Sequence, residues 1–355
     1  MFSASRLPRL YAAALGTLLG LALLAVGEGY CRLFTRINFL DSSPNLFVPD
    51  RFGSSRGNVV SGRATAFGHT VYTDGNGFRI DPGSPESGSG RAVLFLGDSV
   101  AFGSGVDEED SAVGRVRRAA RGWRVYNASV VGYGLRDYVN VLQAFLPNHP
   151  EVKAVYVLMC LNDIHDLSDL AIEEGLGHRA PVAPAGGPGS GDLVQIAKRV
   201  AVLQAANDWL RSRSKLYLFL KSLAGDSSMR FFLHDLEFYG ARDADFETRM
   251  ALLAGMKDRL RAAGIPFKVV VLPYEVQLRA ENVDFMRPQR RICGYLREHE
   301  VDYIDATAAF RDTGAPSHAL YLYADPMHFS PRGHAVLAGV LSKDLAALSP
   351  DDSRR

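Results

Sequence analysis

The sequence predicts an α/β protein: a three-layer sandwich with a central parallel sheet, behind an N-terminal membrane helix. Short unbroken apolar runs predict strands buried on both faces, as at Ala92-Val-Leu-Phe-Leu96. Helix-like segments alternate with these runs, a rhythm that puts helices on both faces of a parallel sheet. A long uncharged apolar stretch at the amino terminus predicts the membrane helix.

The apolar stretch comes first. LYAAALGTLLGLALLAVG, from Leu10 to Gly27, is bounded by Arg9 and Glu28. As a helix it is roughly 27 Å long, near the thickness of a bilayer core. Arg6 and Arg9 precede it, which favours the amino terminus inside and the rest of the chain outside; Arg32 and Arg36 soften that bias. Ala25-Val26-Gly27 offers a signal-peptidase site, so secretion after cleavage is the competing reading. Tyr30-Cys-Arg-Leu-Phe-Thr-Arg36 continues the helix amphipathically and favours a retained anchor. The expected organisation is an anchor or signal over 1–36, an irregular lead-in over 37–90 and a main domain over 91–350.

Within the main domain the further strand candidates are Val125–Ala128, Ala154–Met159, Phe267–Leu272 and Val301–Ile304. The helix candidates are Leu135–Leu146, Glu247–Ala263, Phe285–Glu298 and Arg332–Leu348. Residues 165–235 interrupt the alternation with a Pro/Gly-rich loop over 180–191 and two helical patterns, 192–212 and 214–224. They read either as a lid over the active-site edge or as a loop with packing helices. In the lead-in, Thr70–Thr73 is a strand candidate and Asp74-Gly-Asn-Gly77 a turn.

Forty Lys+Arg against 39 Asp+Glu leave a net charge of +1, which offers no case for a nucleic-acid partner. The arginines between Arg115 and Arg124 recur at helical spacing and read as a solvated helix face. Cys31, Cys160 and Cys293 form neither a disulfide framework nor a metal-binding pattern. Cys160 lies in an apolar run and is expected in the core. No metal or organic cofactor is implied.

Four features carry chemistry. Gly97-Asp-Ser-Val100 follows the first strand directly, where open α/β sheets place their sites. Ser99 there is presented near a helix N-terminus, whose N–H groups can stabilise an oxyanion; an N-cap serine is the structural alternative. Gly132, after the second strand, sits where a loop can bring its N–H to that serine, or where a tight turn needs positive φ. Leu161-Asn-Asp163 follows the third strand. The Asn162 side chain can donate to the same oxyanion and Asp163 can fix the loop, against an Asx turn. Asp325-Pro-Met-His328 precedes the final helix. A histidine must take the serine proton, and an acid must hold that histidine's tautomer. His334 falls inside the helical pattern and reads as structural; His165 and His178 read as surface residues.

Taken in order, strand–GDS, strand–Gly loop, strand–Asn loop and a late Asp-x-x-His resemble the four blocks of the SGNH (GDSL-like) hydrolase superfamily. The resemblance covers about 92–165 and 265–345. It implies a flavodoxin-like fold, Ser99 as nucleophile, His328 as base and Asp325 as its partner. It also implies an oxyanion hole of Ser99 N–H, Gly132 N–H and Asn162. One departure is Cys160, where the family's third block has a glycine. A membrane helix followed by Thr73-Asp-Gly-Asn-Gly-Phe-Arg79 and the serine block looks like bacterial envelope-anchored members, commonly linked with acyl groups on glycans.

The expectation is a serine esterase cleaving an O-acyl ester, acetyl above all, on a cell-envelope glycan. Its substrate is an acylated polysaccharide, and its catalytic domain lies outside the cytoplasm. The alternatives are an O-acyltransferase to an exported polysaccharide and a non-catalytic membrane-tethered glycan-binding protein.

Overall fold

A computed structural model of the chain describes residues 7–35, 37, 45–83, 90–164, 206–207, 209–211, 213–223, 225–240 and 244–348. The 180–191 loop, the 192–205 part of the first insertion helix, His165 and His178 lie outside the described residues. The chain divides into two compact units. One comprises residues 1–41 and 184–226, the other residues 42–183 and 227–355.

In the first unit, helix α1 spans Leu7–Phe34 and so continues past the apolar run, as the Tyr30–Arg36 pattern predicts.

The larger unit begins with a hairpin, β1 (Phe47–Arg51) and β2 (Ser54–Asn58). Three short strands follow: β3 (Arg63–Ala66), β4 (His69–Thr73) and β5 (Arg79–Ile80). Next come β6 (Ala92–Gly97), α2 (Ser99–Phe102), α3 (Ala112–Ala119), β7 (Arg124–Asn127), α4 (Leu135–Phe145) and β8 (Val152–Met159). Helix α5 (Lys215–Leu223) belongs to the first unit. The larger unit resumes with α6 (Ser227–Glu237), α7 (Ala244–Ala262), β9 (Phe267–Val271), α8 (Glu275–Arg279) and α9 (Arg287–Glu298). It closes with β10 (Tyr303–Asp305), α10 (Thr307–Arg311) and α11 (Pro331–Ala347).

The main sheet runs β10-β9-β8-β6-β7-β5-β4-β3. Its first five strands are parallel and the last three antiparallel. All six residues of β6 are buried, as an apolar central strand between β8 and β7 requires. From β6 the chain steps to β7 on one side, then crosses back to β8 and onward to β9 and β10 on the other. Right-handed crossovers put α3 on one face and α4, α7 and α9 on the opposite one. The packing agrees: α3 meets α11, while α4 and α9 both meet α7. The reversal of direction at β6 makes its carboxyl end the topological switch point, where α/β sheets open a crevice.

Two expectations are corrected. The lead-in is not irregular: β3, β4 and β5 extend the main sheet. Thr70–Thr73 and the turn after it are readable locally, but the link that joins these strands to the main sheet, Arg79 to Asn127, is long-range, so local pattern does not announce it. The Arg115–Arg124 cluster is not a uniformly solvated face: the Arg117 side chain is 8% exposed and pairs with Glu108. Arg115 pairs with Asp110. All three cysteines are free and buried.

Candidate active site

The serine is placed by a sharp exit from β6. The backbone packs so tightly at Gly97 that a Cβ there would lie 2.3 Å from the Ala101 side chain and 3.1 Å from the Leu158 carbonyl. Asp98, not Ser99, caps the next helix: its Oδ1 accepts the Val100 N–H at 2.8 Å. Ser99 is therefore the first helical residue, and its hydroxyl is free of the capping role. Helix α2 stops after one turn at Gly103, in the left-handed conformation at φ +84°.

The acid and histidine come from a closed loop before α11. The Leu322 N–H donates to the His328 carbonyl at 2.9 Å, above an antiparallel bridge between Tyr321 and Phe329. Asp325 Oδ1 accepts the N–H groups of Met327 (2.9 Å) and His328 (2.7 Å). Its other oxygen lies 2.8 Å from His328 Nδ1, and His328 Nε2 lies 2.8 Å from Ser99 Oγ. Ser99 and Asp325 are buried, whereas the His328 side chain keeps a fifth of its surface exposed. Ser99 Oγ also lies 3.4 Å from Asp98 Oδ2.

Charge is distributed unevenly over these groups. Burial alone would raise the pKa of Asp325, but His328 and the bonds to Met327 and His328 outweigh it, so the carboxyl titrates below its usual range. Burial would lower that of His328, but Asp325 outweighs it and the net shift is upward. Asp98 is raised by burial, despite the opposing effects of the Val100 N–H, His328, Ser99 and Asn162.

The oxyanion candidates lie on loops after the two strands that flank β6. Gly132 follows β7, in a loop bonded to the strand end by Val130 N–H to the Gly97 carbonyl (3.2 Å). Its φ is +77°, a conformation that favours glycine, and a Cβ there would fall 2.2 Å from the movable end of the Arg56 guanidinium. Asn162 follows β8 in a 3₁₀ turn, Leu161–Ile164. Asp163 Oδ2 accepts the Cys160 N–H at 2.9 Å and fixes that turn. Cys160 has no positive φ, so the glycine of the family pattern is not required at this position. Tyr274 Oη lies 3.4 Å from Asn162 Oδ1 and donates its proton to Asp235 at 2.6 Å.

Thus Ser99 lies against His328, and His328 against Asp325. The Gly132 and Asn162 loops leave the same sheet edge from the neighbouring strands. His334 is buried within α11, its Nδ1 accepting the Ala112 N–H at 3.2 Å, as its reading as structural expects. Burial and the nearby Arg79 charge push its pKa down to about 3, so it is neutral. Sequence reasoning missed Asp98 as cap, Arg56 against Gly132, and the Asp235–Tyr274 pair behind Asn162. Only Asp98 carried a signal, an Asp directly before a helix start. Among the described residues, no cluster of three or more His, Cys, Asp or Glu is placed to hold a metal ion.

Known proteins add the following. No curated protein matches the chain. Among solved structures, it is similar to Axe2, an acetylxylan esterase from Geobacillus stearothermophilus, at 16% identity over 74% of this chain and 96% of that one, with a TM-score of 0.41. LAE5, an α/β hydrolase enzyme from the metagenome of Lake Arreo, Spain, matches at 14% identity over 74% and 98%, with a TM-score of 0.42. TesA matches at 14% identity over 73% and 100%, with a TM-score of 0.41. Residues 231–354 match the family described as "SGNH hydrolase-like domain, acetyltransferase AlgX". That match covers the carboxy-terminal third of the chain, the part that carries Asp325 and His328.

Proposed function

We propose that the chain is a serine-dependent acyl-ester enzyme working through an acyl-enzyme on Ser99. The observation that carries this reading is the unbroken chain of contacts from Ser99 Oγ to His328 to Asp325, 2.8 Å at each step. His328 Nε2 takes the hydroxyl proton as Oγ attacks the ester carbonyl, then returns it to the departing alcohol. Asp325 holds Nδ1–H and stabilises the imidazolium. The oxyanion rests on Ser99 N–H, Gly132 N–H and the Asn162 amide. Water then attacks the acyl-enzyme, releasing the acid.

The substrate is an O-acyl ester, acetyl above all, on a cell-envelope glycan. Helix α1 anchors the protein, and the larger unit works outside the cytoplasm; secretion after cleavage at Ala25–Gly27 is the alternative. A second reading, transfer of the acyl group to a sugar hydroxyl, is favoured by the matched family's description as an acetyltransferase. The experiment is incubation of the full chain with p-nitrophenyl acetate and longer esters, with and without an acceptor glycan, beside Ser99→Ala. Hydrolysis abolished by Ser99→Ala supports the esterase, and acceptor-dependent acyl transfer supports the transferase. Ester turnover unchanged in Ser99→Ala refutes both.

A further inference from the structure

Within the smaller unit, α5 is fastened to α1 at one residue. The Glu28 carboxylate accepts the Ser214 hydroxyl (2.8 Å) and the N–H groups of Lys215 (3.1 Å) and Leu216 (2.9 Å). Those two amides are orphan donors of the first turn of α5, satisfied here by a side chain of another helix. Arg32 tightens the junction, bonding Glu28 at 2.6 Å and the Arg213 carbonyl at 2.6 Å. One residue earlier, a Cβ on Gly27 would come within 3.1 Å of Leu216, so the absent side chain lets the two helices meet closely.

Glu28 is the first charged residue after the apolar run Leu10–Gly27. The start of α5 is therefore held where that run ends. Leu216, Leu220 and Leu223 share one face of α5, at i, i+4 and i+7. The first covers Gly27, while Leu220 and Leu223 are 51% and 67% exposed. Trp209, just before the helix, is 57% exposed. The leucine face is thus continuous at Gly27 with the exposed apolar surface of α1, and lysines stand at positions 215 and 221. Leucines on one face, basic residues beside them and a neighbouring tryptophan form the pattern of a helix lying in a membrane interface.

We propose that Lys215–Leu223 is a second membrane-contacting element, lying in the head-group and upper acyl layer of the bilayer with Leu220 and Leu223 immersed. Glu28 locks it to the anchor. The proposal rests on α1 being a membrane anchor, and the occupant of the leucine face is phospholipid.

The test uses the full chain reconstituted in phosphatidylcholine/phosphatidylglycerol vesicles. Leu220→Cys, Leu18→Cys and Val283→Cys, all at exposed positions, are each labelled with an environment-sensitive NBD probe. The native cysteines are buried. Quenching by lipids carrying a nitroxide high on the acyl chain is then measured. The expected result is strong quenching and blue-shifted emission at 18 and 220, with water-like behaviour at 283. In Glu28→Ala, quenching at 220 should fall while that at 18 stays. Quenching at 18 with none at 220 overturns the proposal and leaves the anchor standing. No quenching at either site refutes the anchor reading and the proposal with it. A blue shift at 220 without nitroxide quenching, lost on dilution of protein in the vesicles, assigns the face to a second copy and also overturns it.

Discussion

Arg79→Met is the most informative perturbation of the larger unit. Arg79 lies on the two-residue strand β5, yet its side chain is 1% exposed. Nη1 donates to the carbonyls of Phe102 and Gly103 at 2.7 Å each, and Nη2 to that of Val106 at 2.8 Å. Nε lies 3.0 Å from Glu108 Oε2, and Glu108 also pairs with Arg117. The guanidinium thus gathers the backbone that ends α2, the helix opened by Ser99. Methionine fills much of the aliphatic volume but takes the guanidinium donors from three carbonyls, leaving Gly103 only the long Val106 N–H bond at 3.4 Å. A buried group stripped of its partner costs about 1–3 kcal/mol, and breaking a buried ion pair costs about 3–5 kcal/mol. These losses overlap, and Arg117 still neutralises Glu108, so the expected total is about 4 kcal/mol. Against a typical stability of about 5–15 kcal/mol, that is a large share. Urea unfolding of the detergent-solubilised chain, followed by the fluorescence of buried Trp123, measures it as a fall in midpoint at constant slope. Arg79→Lys should recover little, since one ammonium cannot reach three carbonyls and a carboxylate together. A loss below about 1 kcal/mol in Arg79→Met would refute the view that this network holds the serine turn.

Three further outcomes are expected. The base must be neutral to act, and the His328 pKa is raised, so ester turnover should fall as pH drops through a midpoint above the ordinary histidine value. Asp325→Asn should move that midpoint down and cut the rate about 10⁴-fold; a midpoint unmoved in the variant contradicts the pairing. Asn162→Ala should reduce turnover about 10²–10³-fold with little change in KM. An equal loss of affinity would instead make Asn162 a substrate-binding group. His334 is neutral when folded, with its pKa depressed to about 3, so the unfolded chain binds the extra proton between there and its ordinary value of 6.5. Its contribution to stability is complete above that upper value and lost as pH falls through the window. Unfolding midpoints measured from pH 7 to pH 4 should therefore decline, and His334→Gln should flatten the decline.

How much of this was legible follows from the range of the interactions concerned. β6 is a continuous apolar run, and β8 and β9 are apolar runs with one lysine each near the start, Lys153 and Lys268; such runs declare buried parallel strands. Ser99, Gly132 and Asn162 each follow one of three successive strands, so right-handed crossovers alone gather them at one sheet edge. Asp325 and His328 are three residues apart in one loop, and their mutual contact is local.

The sequence by itself therefore determined the alternating architecture, the apolar amino-terminal helix and the five residues at the sheet edge. Only the tertiary structure decided the rest. Arg79 looks like any charged residue after a turn, and its burial depends on carbonyls more than twenty residues away. A strand is readable at Thr70–Thr73, but that β3 to β5 extend the main sheet is decided only where β5 meets the edge of β7. Besides Arg32, four residues on, Glu28 is held by Ser214, 186 residues downstream. Apolar periodicity is written into neighbouring residues, whereas the partner of a buried charge is chosen by the chain's path through space, and no local pattern records it.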